Sequence, residues 1–320
     1  MLHVAGVPVF VKRVPLTDLE RRPENVMSTA NVFGLPPFYQ YGVGSSGFGA
    51  WRELAANGWT TEWVLTGRSE AFPLMYHWRV LPGAAPLADD YMDVERAAAY
   101  WGGSPAVRER TDALSKASAS VVLFLEYIPH NLHDWFSGQL AFGEEAATSA
   151  SRMVEQHLRT DLAFMNANGL HHFDAHFGNM LTDGRRLYLA DLGLATSPRF
   201  DLSATEAEFV ARNMSHDMCY AVTQLVNWLV TNVCGVAVPA TGGPVERNDY
   251  IRRCATGAEV VDAAPTVAAI IKRYAPVAVV MNGFYWDLFG ESRTTPYPVE
   301  TIRHAMAAVP ELAHVGLTRT

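Results

Sequence analysis

Apolar and polar positions along the chain first fall into a regular pattern at VAGVPVFVKRV, Val4 to Val14. β-Branched and aromatic residues alternate there around a Gly-Val turn, which predicts a hairpin whose second strand, Val7 to Val14, carries Lys12. From Pro15 to Gly49 the chain is rich in Pro, Gly, Asn and Ser and lacks periodicity, so it reads mostly as loop. A helix is expected from Ala50 to Asn57, with Gly58 near its end. FPLMYHWRVL and SVVLFLEYI read as two further strands, joined by a polar, Ala-rich stretch from Ala84 to Ser118 that holds a helix around Asp93 to Tyr100. The first 128 residues are therefore mixed α/β. Between Glu144 and Ala167, Met153, Leu158, Leu162, Phe164 and Met165 recur near helical spacing, and Asn168-Gly169 supplies a stop. NMLT and RLYLAD then flank Asp183-Gly184, the signature of a tight hairpin. SHDMCYAVTQLVNWLVTNVCG has the apolar density of a core helix, and the remainder reads as helices with loops at ATGGPVERN and GESRTTPYP.

Composition narrows the class. A chain of 320 residues with 49% hydrophobic and 18% charged content is long enough for two lobes with sizeable cores. Its net charge of −8 argues against a broad phosphate-tracking surface, so no nucleic-acid partner is expected. Cys219, Cys234 and Cys254 are odd in number and widely spaced; they read as buried thiols of a reducing cytoplasm. The apolar N-terminal run precedes Lys12 and Arg13, the reverse of a secretory signal. Lys272, Arg273 and Pro276 interrupt VAAIIKRYAPVAVVM, which leaves it short of the ~20 apolar residues of a membrane helix. The expectation is a soluble cytoplasmic protein with no membrane partner.

The chemistry concentrates in HHFDAHFGNMLTDGRRLYLADLG, residues 171 to 193. One reading takes His172, Asp174 and His176 as ligands of a transition metal. It lacks a fourth ligand set elsewhere, and His171 and His176, taken individually, read rather as packing and hydrogen-bonding residues of a turn. The other reading combines Asp174, Asn179 and Asp191. Phosphoryl transfer needs a carboxylate to orient the attacking hydroxyl and oxygen ligands to hold Mg²⁺ against nucleotide phosphates. Asp-x-x-x-x-Asn, a hairpin and Asp-x-Gly supply these, and Gly193 allows a sharp turn past the metal ligand.

At these residues the sequence resembles the protein-kinase-like superfamily: HFDAHFGN matches the His-x-Asp-x-x-x-x-Asn catalytic loop, and ADLG the Asp-Phe-Gly metal motif with Leu192 in place of Phe. The resemblance covers about residues 7 to 220. It implies an α+β, bilobal fold, with a small β-rich N-lobe over 1–128 and a larger, mainly helical C-lobe over 129–320. It implies ATP and Mg²⁺ as cofactors, Asp174 as the residue that orients the nucleophile, and Asn179 and Asp191 as metal ligands. Lys12 in VFVK looks like the strand lysine that contacts α- and β-phosphates. Glu53 in WRELAA looks like the helix glutamate that holds it, with Glu20 and Glu24 competing for that role. LFLEYIPHNLHDWF resembles the hinge, where backbone groups of Glu126 and Ile128 meet adenine and Leu125 stands at the gate. His172 belongs to the catalytic-loop motif, and Asp217 resembles the buried helix acid that braces it, although an N-cap Asp would have the same sequence signature.

Two departures qualify what the resemblance implies. Only eleven residues precede Lys12, too few for a complete strand-loop-strand, so the N-lobe is trimmed or the chain begins late. GVGSSGFG, Gly42 to Gly49, follows the lysine instead of preceding it and reads as a flexible connector or as a phosphate cradle at a helix N-terminus. Where protein kinases acting on Ser or Thr usually carry Lys, two residues after the catalytic Asp, this chain has His176. That pattern is similar to aminoglycoside and choline kinases and implies a small hydroxylated acceptor. A protein Ser/Thr kinase and a nucleotide-sensing pseudokinase or regulatory scaffold are the alternatives.

Overall fold

The computed structural model describes residues 2–42, 44–84 and 93–312. It is α+β, a small antiparallel sheet with a larger helical part. In chain order the strands are β1 (Leu2–Val4), β2 (Val7–Leu16), β3 (Met75–Pro82), β4 (Ala119–Glu126), β5 (His130–Asn131), β6 (Met180–Thr182) and β7 (Leu187–Leu189). The helices are α1 (Ala50–Leu65), α2 (Val94–Tyr100), α3 (Pro105–Ser115), α4 (Leu132–Ala141), α5 (Glu144–Ala167), α6 (Ala204–Arg212), α7 (His216–Asn232), α8 (Val245–Ala255), α9 (Pro265–Gly290) and α10 (Val299–Ala307). The chain divides into two compact units. The first unites Met1–Pro129 with Asn168–Asp174 and Tyr188–Ala211; the second unites His130–Ala167, Ala175–Leu187 and Arg212–Thr320. A single cut at 128/129 thus leaves out two later stretches that belong with the N-terminal part.

In the first unit the sheet runs β1-β2-β4-β3, every pairing antiparallel. The turn between β1 and β2 is Ala5-Gly6, both at positive φ, rather than Gly-Val; two left-handed residues match the twist of a two-residue hairpin. Central β4 is buried at six of its eight positions, as its unbroken apolar run requires. Trp51 and Leu54 of α1 pack with Leu16, Val121, Leu123 and Leu125 of the sheet. α1 does not stop at Asn57 but continues through Gly58 to Leu65. A mid-helix glycine costs about 1 kcal/mol, and buried Thr60 and Trp63 beyond it tie the last turns to the core.

Asp93 caps α2 through the Arg96 amide, and Ser104 caps α3 ahead of Pro105. The expected connection from Ala84 to Ser118 therefore contains two helices, and its residues 85–92 lie outside the described residues. Pro15 to Gly49 is more ordered than its lack of periodicity suggests. Short 3-10 turns at Pro23–Asn25 and Pro37–Gln40 interrupt it, and Phe33, Leu35, Tyr39 and Phe48 form a second core cluster with Trp101 and Val107.

In the second unit α5 spans Glu144–Ala167, with a buried stripe from Ala147 through Val154, Leu158 and Leu162 to Met165. Phe136 of α4 stacks on Trp228 of α7, ring centroids 3.9 Å apart. β5 pairs antiparallel with β6, and Asp183-Gly184 turns the chain toward β7, with the Asp183 carboxylate accepting from the amides of Arg185 and Arg186. α9 runs unbroken past Lys272, Arg273 and Pro276. Among the described residues it is the one helix long and apolar enough to cross a membrane by length and composition, and half of the window that meets this test is buried. Its cations find partners: Lys272 pairs with Glu259 at 2.7 Å, and Arg273 with Glu155 and Glu311. The three cysteines are unbridged; Cys219 and Cys254 are buried, whereas Cys234 is half-buried rather than buried.

Candidate active site

Alternation along β2 puts Phe10, Lys12, Val14 and Leu16 on one face, the face of Leu16 and Val14 that packs with α1. Lys12 lies opposite Leu123, midway along the β2–β4 ladder. Its ammonium is 2.7 Å from Glu53 Oε1 and 2.6 Å from Asp191 Oδ1. Glu53 stands in the first turn of α1, where the helix dipole favours a carboxylate, and is buried. Burial pulls the Lys12 pKa down, but Glu53 and Asp191 together outweigh it and the pKa ends raised. Glu53 is pushed up, by burial first and by the Asp191 charge second, against the pull of Lys12. For Asp191 burial acts upward, yet Lys12, the Gly193 amide and His172 hold the carboxyl below its ordinary range.

Asp191 follows β7, whose Leu189 amide is tied to the Ala71 carbonyl at 2.8 Å. The residue is left-handed, φ 55 and ψ 72, a conformation Asp tolerates better than most. The left-handed residue of the sharp turn is Asp191 and not Gly193, whose φ is not positive. Glycine at 193 serves a different need: a Cβ there would lie 3.3 Å from both Glu53 Oε2 and Asp191 Oδ1, so its absence keeps open the narrow gap between two carboxylates. Asp191 leaves half of its side chain exposed (49%). It is an ionised oxygen donor facing solvent, suited to a hard divalent cation.

His172 ties the segment that leads to Asp174 to the residue before Asp191. Its Nε2 is 2.9 Å from the Ala190 carbonyl, and its Nδ1 accepts from the Asp174 amide at 3.4 Å. With both ring nitrogens engaged, His172 is not placed as a metal ligand. Among the described residues no group of three or more His, Cys, Asp or Glu gathers as a metal site. Phe173, just before Asp174, is a second non-glycine residue at positive φ. Phe173 and Asp191 are two points at which the backbone tolerates strain.

Leu125 is buried on β4, opposite Phe10 and Met75, and Ile128 is buried two residues beyond the strand end. The Glu126 amide donates to the Leu74 carbonyl at 2.7 Å and its carboxylate accepts from the Leu74 amide at 3.1 Å, so this residue is anchored to the segment entering β3. In the second unit, Asn179 ends the 3-10 turn Phe177–Asn179, and its amide donates to the His176 carbonyl. His176 Nδ1 accepts from the Gly178 amide at 2.9 Å. Asp217 is buried and accepts from Asn166 Nδ2 at 2.8 Å, joining the start of α7 to the end of α5. It is not the N-cap, a position held by Ser215.

The competition for Lys12 resolves in favour of Glu53. Glu20 instead accepts from the Ala50 amide at 2.8 Å, capping α1, and pairs with Arg110 at 2.8 Å, both side chains buried. The first amide of α1 is therefore occupied and does not cradle phosphate. Glu24 is exposed in its 3-10 turn.

Sequence reasoning missed two contributions. Phe10, an exposed aromatic (47%), shares the face of Lys12 and the register of Leu125, a placement that strict alternation already encodes. The segment ahead of α1 lies against the acids: a Cβ on Gly42 would run into the Asp174 carboxylate, and one on Gly47 into the Gly193 carbonyl. Gln40 Nε2 donates to the Leu194 carbonyl. GVGSSGFG stood out in the sequence, but nothing local says what it touches, and its Val43 lies outside the described residues. No family model matches the chain, and comparison with curated proteins brings no match either.

Proposed function

We propose that the chain is a protein-kinase-like phosphotransferase that moves the γ-phosphoryl group of ATP to a hydroxyl, on a small molecule. One observation carries this reading: the Lys12 ammonium held between Glu53 and Asp191, in the same unit as Asp174. Buried Glu53 fixes the lysine, while solvent-facing Asp191 can exchange its hold on the lysine for a cation, which frees Lys12 to meet phosphate oxygens. A Mg²⁺ ion held at Asp191 would supply neutralisation of the negative charge on the phosphate oxygens. Asp191 supplies an oxygen ligand for it. Asn179, carried by the second unit, is the sequence-derived candidate for another. Asp174 orients the acceptor hydroxyl: its oxygen bonds to the γ-phosphorus, its proton passes to the carboxylate, and the bond to the β-phosphate oxygen breaks as ADP leaves. Leu125, Glu126 and Ile128 are assigned to the base. The bilobal fold, the cytoplasmic location and the small acceptor, favoured by His176 where protein kinases carry Lys, belong to the same proposal.

The test uses the whole chain with Mg-ATP. Wild-type protein should melt at a higher temperature with Mg-ATP and consume ATP with some member of a panel of hydroxylated metabolites. Asp174→Ala should lower turnover by about 10²-fold or more while retaining nucleotide binding. Asp191→Ala should lose the Mg-dependent part of that binding. Unchanged turnover in Asp174→Ala contradicts the assignment, and binding without consumption of any acceptor favours a nucleotide-sensing scaffold.

A further inference from the structure

Two loops must be held in register for the proposed transfer, the one bearing Asp174 and the one bearing Asp191. Catalytic groups need to sit within about 0.5 Å of productive geometry. Asp174 follows a left-handed Phe173, and Asp191 is itself left-handed. His172 links the two from one side, through the Ala190 carbonyl.

Residues 39–42 and 44–47 link them from another. Tyr41, buried, meets Phe173 at 6.2 Å between ring centroids and Phe209 edge-on at 5.2 Å. The Cα of Gly42 backs directly onto the Asp174 carboxylate, with no room for a methyl group. Gln40, buried, donates to the Leu194 carbonyl, and Gly47, at φ +72, lies on the Gly193 carbonyl. The segment is itself braced. Tyr39 OH is 3.0 Å from both the hydroxyl and the amide of Ser46, and Trp101 Nε1 reaches the Gly44 carbonyl at 3.4 Å. Its contacts thus fall on residues 173 and 174 of one loop and 193 and 194 of the other. Gln40, Tyr41 and Gly47 are buried at their contacts, and Gly42 is half-buried.

We infer that this strap is a positioning element of the transfer site: it sets the Asp174 carboxylate relative to the turn at Asp191–Gly193, with Gly42 and Gln40 as its positioning residues. The inference rests on the phosphotransferase reading and adds to it a part placed after the lysine strand. A methyl group at Gly42 must displace either the strap or the carboxylate. Either movement shifts the proton acceptor without touching Lys12 or Glu53.

The experiment uses water as the acceptor, so no metabolite need be known. ATP hydrolysis and Mg-ATP affinity are measured for wild type, Gly42→Ala and Gln40→Ala, with the melting temperature of each. Gly42→Ala should lower kcat by about tenfold or more while KM and Kd for Mg-ATP stay within about twofold. Gln40→Ala, which removes one bond to the metal turn, should move kcat in the same direction by a smaller factor. Should Gly42→Ala fail to fold, Gln40→Ala decides. Wild-type kcat in both variants overturns the inference, and so does an equal loss of kcat and nucleotide affinity, which would mark the strap as mere scaffolding. Wild-type protein that neither binds nor hydrolyses Mg-ATP overturns the phosphotransferase reading itself; binding without hydrolysis removes the transfer step and the inference with it.

Discussion

Three side chains share one charge balance at Lys12: two carboxylates face a single ammonium, and only Asp191 has ready access to water. Glu53 is the dependent member, because burial and the Asp191 charge both disfavour its ionisation and Lys12 alone opposes them. Removing Lys12 should therefore leave a carboxyl whose folded-state pKa is raised well above its unfolded value of about 4.3. Such a group binds more protons folded than unfolded, so stability rises as pH falls through the raised pKa toward the unfolded one. Lys12→Met should accordingly melt at a higher temperature at pH 5 than at pH 8 relative to wild type, and Lys12→Met/Glu53→Gln should lose that dependence. Melting curves across that range check it, and a flat profile in the single variant contradicts it. Lys12, Glu53 and Asp191 were singled out in the sequence through the resemblance, and folding brings their side chains together. The capping role of Glu20 was not legible, since its partners Ala50 and Arg110 are 30 and 90 positions away and only folding brings them to it.

At the scale of elements, α1 carries Glu53, so whatever seats its first turn also seats the lysine. Glu20 does this: one oxygen caps the Ala50 amide, the other takes Thr17 and Arg110, and its own carbonyl accepts from Trp51 Nε1. Burial raises the cost of this carboxylate, but Arg110 and the hydrogen bonds outweigh it and keep its pKa low. Glu20→Ala should destabilise the fold by about 3–5 kcal/mol, since it strands a buried guanidinium. Glu20→Ala/Arg110→Met should cost less than the single change, as the stranded charge is gone. Urea unfolding of the three proteins decides, and a neutral Glu20→Ala contradicts the capping role. Periodicity located α5 and α7 because each buries a long stripe, β4 because its apolar run is buried on both faces, and β2 through the alternation of its apolar residues. It was silent on Pro15 to Gly49, whose order comes from scattered aromatic residues packing on Trp101 and from bonds to residues more than a hundred positions on. It also ended α1 at a glycine that buried Thr60 and Trp63 carry past.

For the whole molecule, the decisive feature is that the first unit is completed by Asn168–Asp174 and Tyr188–Ala211. Arg52, a buried residue of α1, pairs with Glu206 of α6 at 2.8 Å, Trp59 lies against Phe200, and Tyr41 against Phe173 and Phe209. A fragment of residues 1–129 would keep the sheet and lose all of these. It should show no cooperative unfolding transition in urea, whereas the intact chain should. A cooperative fragment would make the N-terminal part an autonomous domain. The boundary near 128 was visible as a change from strand to helix pattern, but the returning stretches were not, because pattern reports neighbours in sequence alone.

This interleaving has a consequence during synthesis. The glutamate that neutralises Arg52 and the aspartate that meets Lys12 leave the ribosome long after their partners, a wait on the order of ten seconds at ordinary elongation rates. Until then the nascent chain displays a buried-to-be guanidinium and bare aromatic rings with nothing to cover them. Translation speed between codons 130 and 211, and the chaperones present in that interval, therefore govern how much of this protein reaches its finished form.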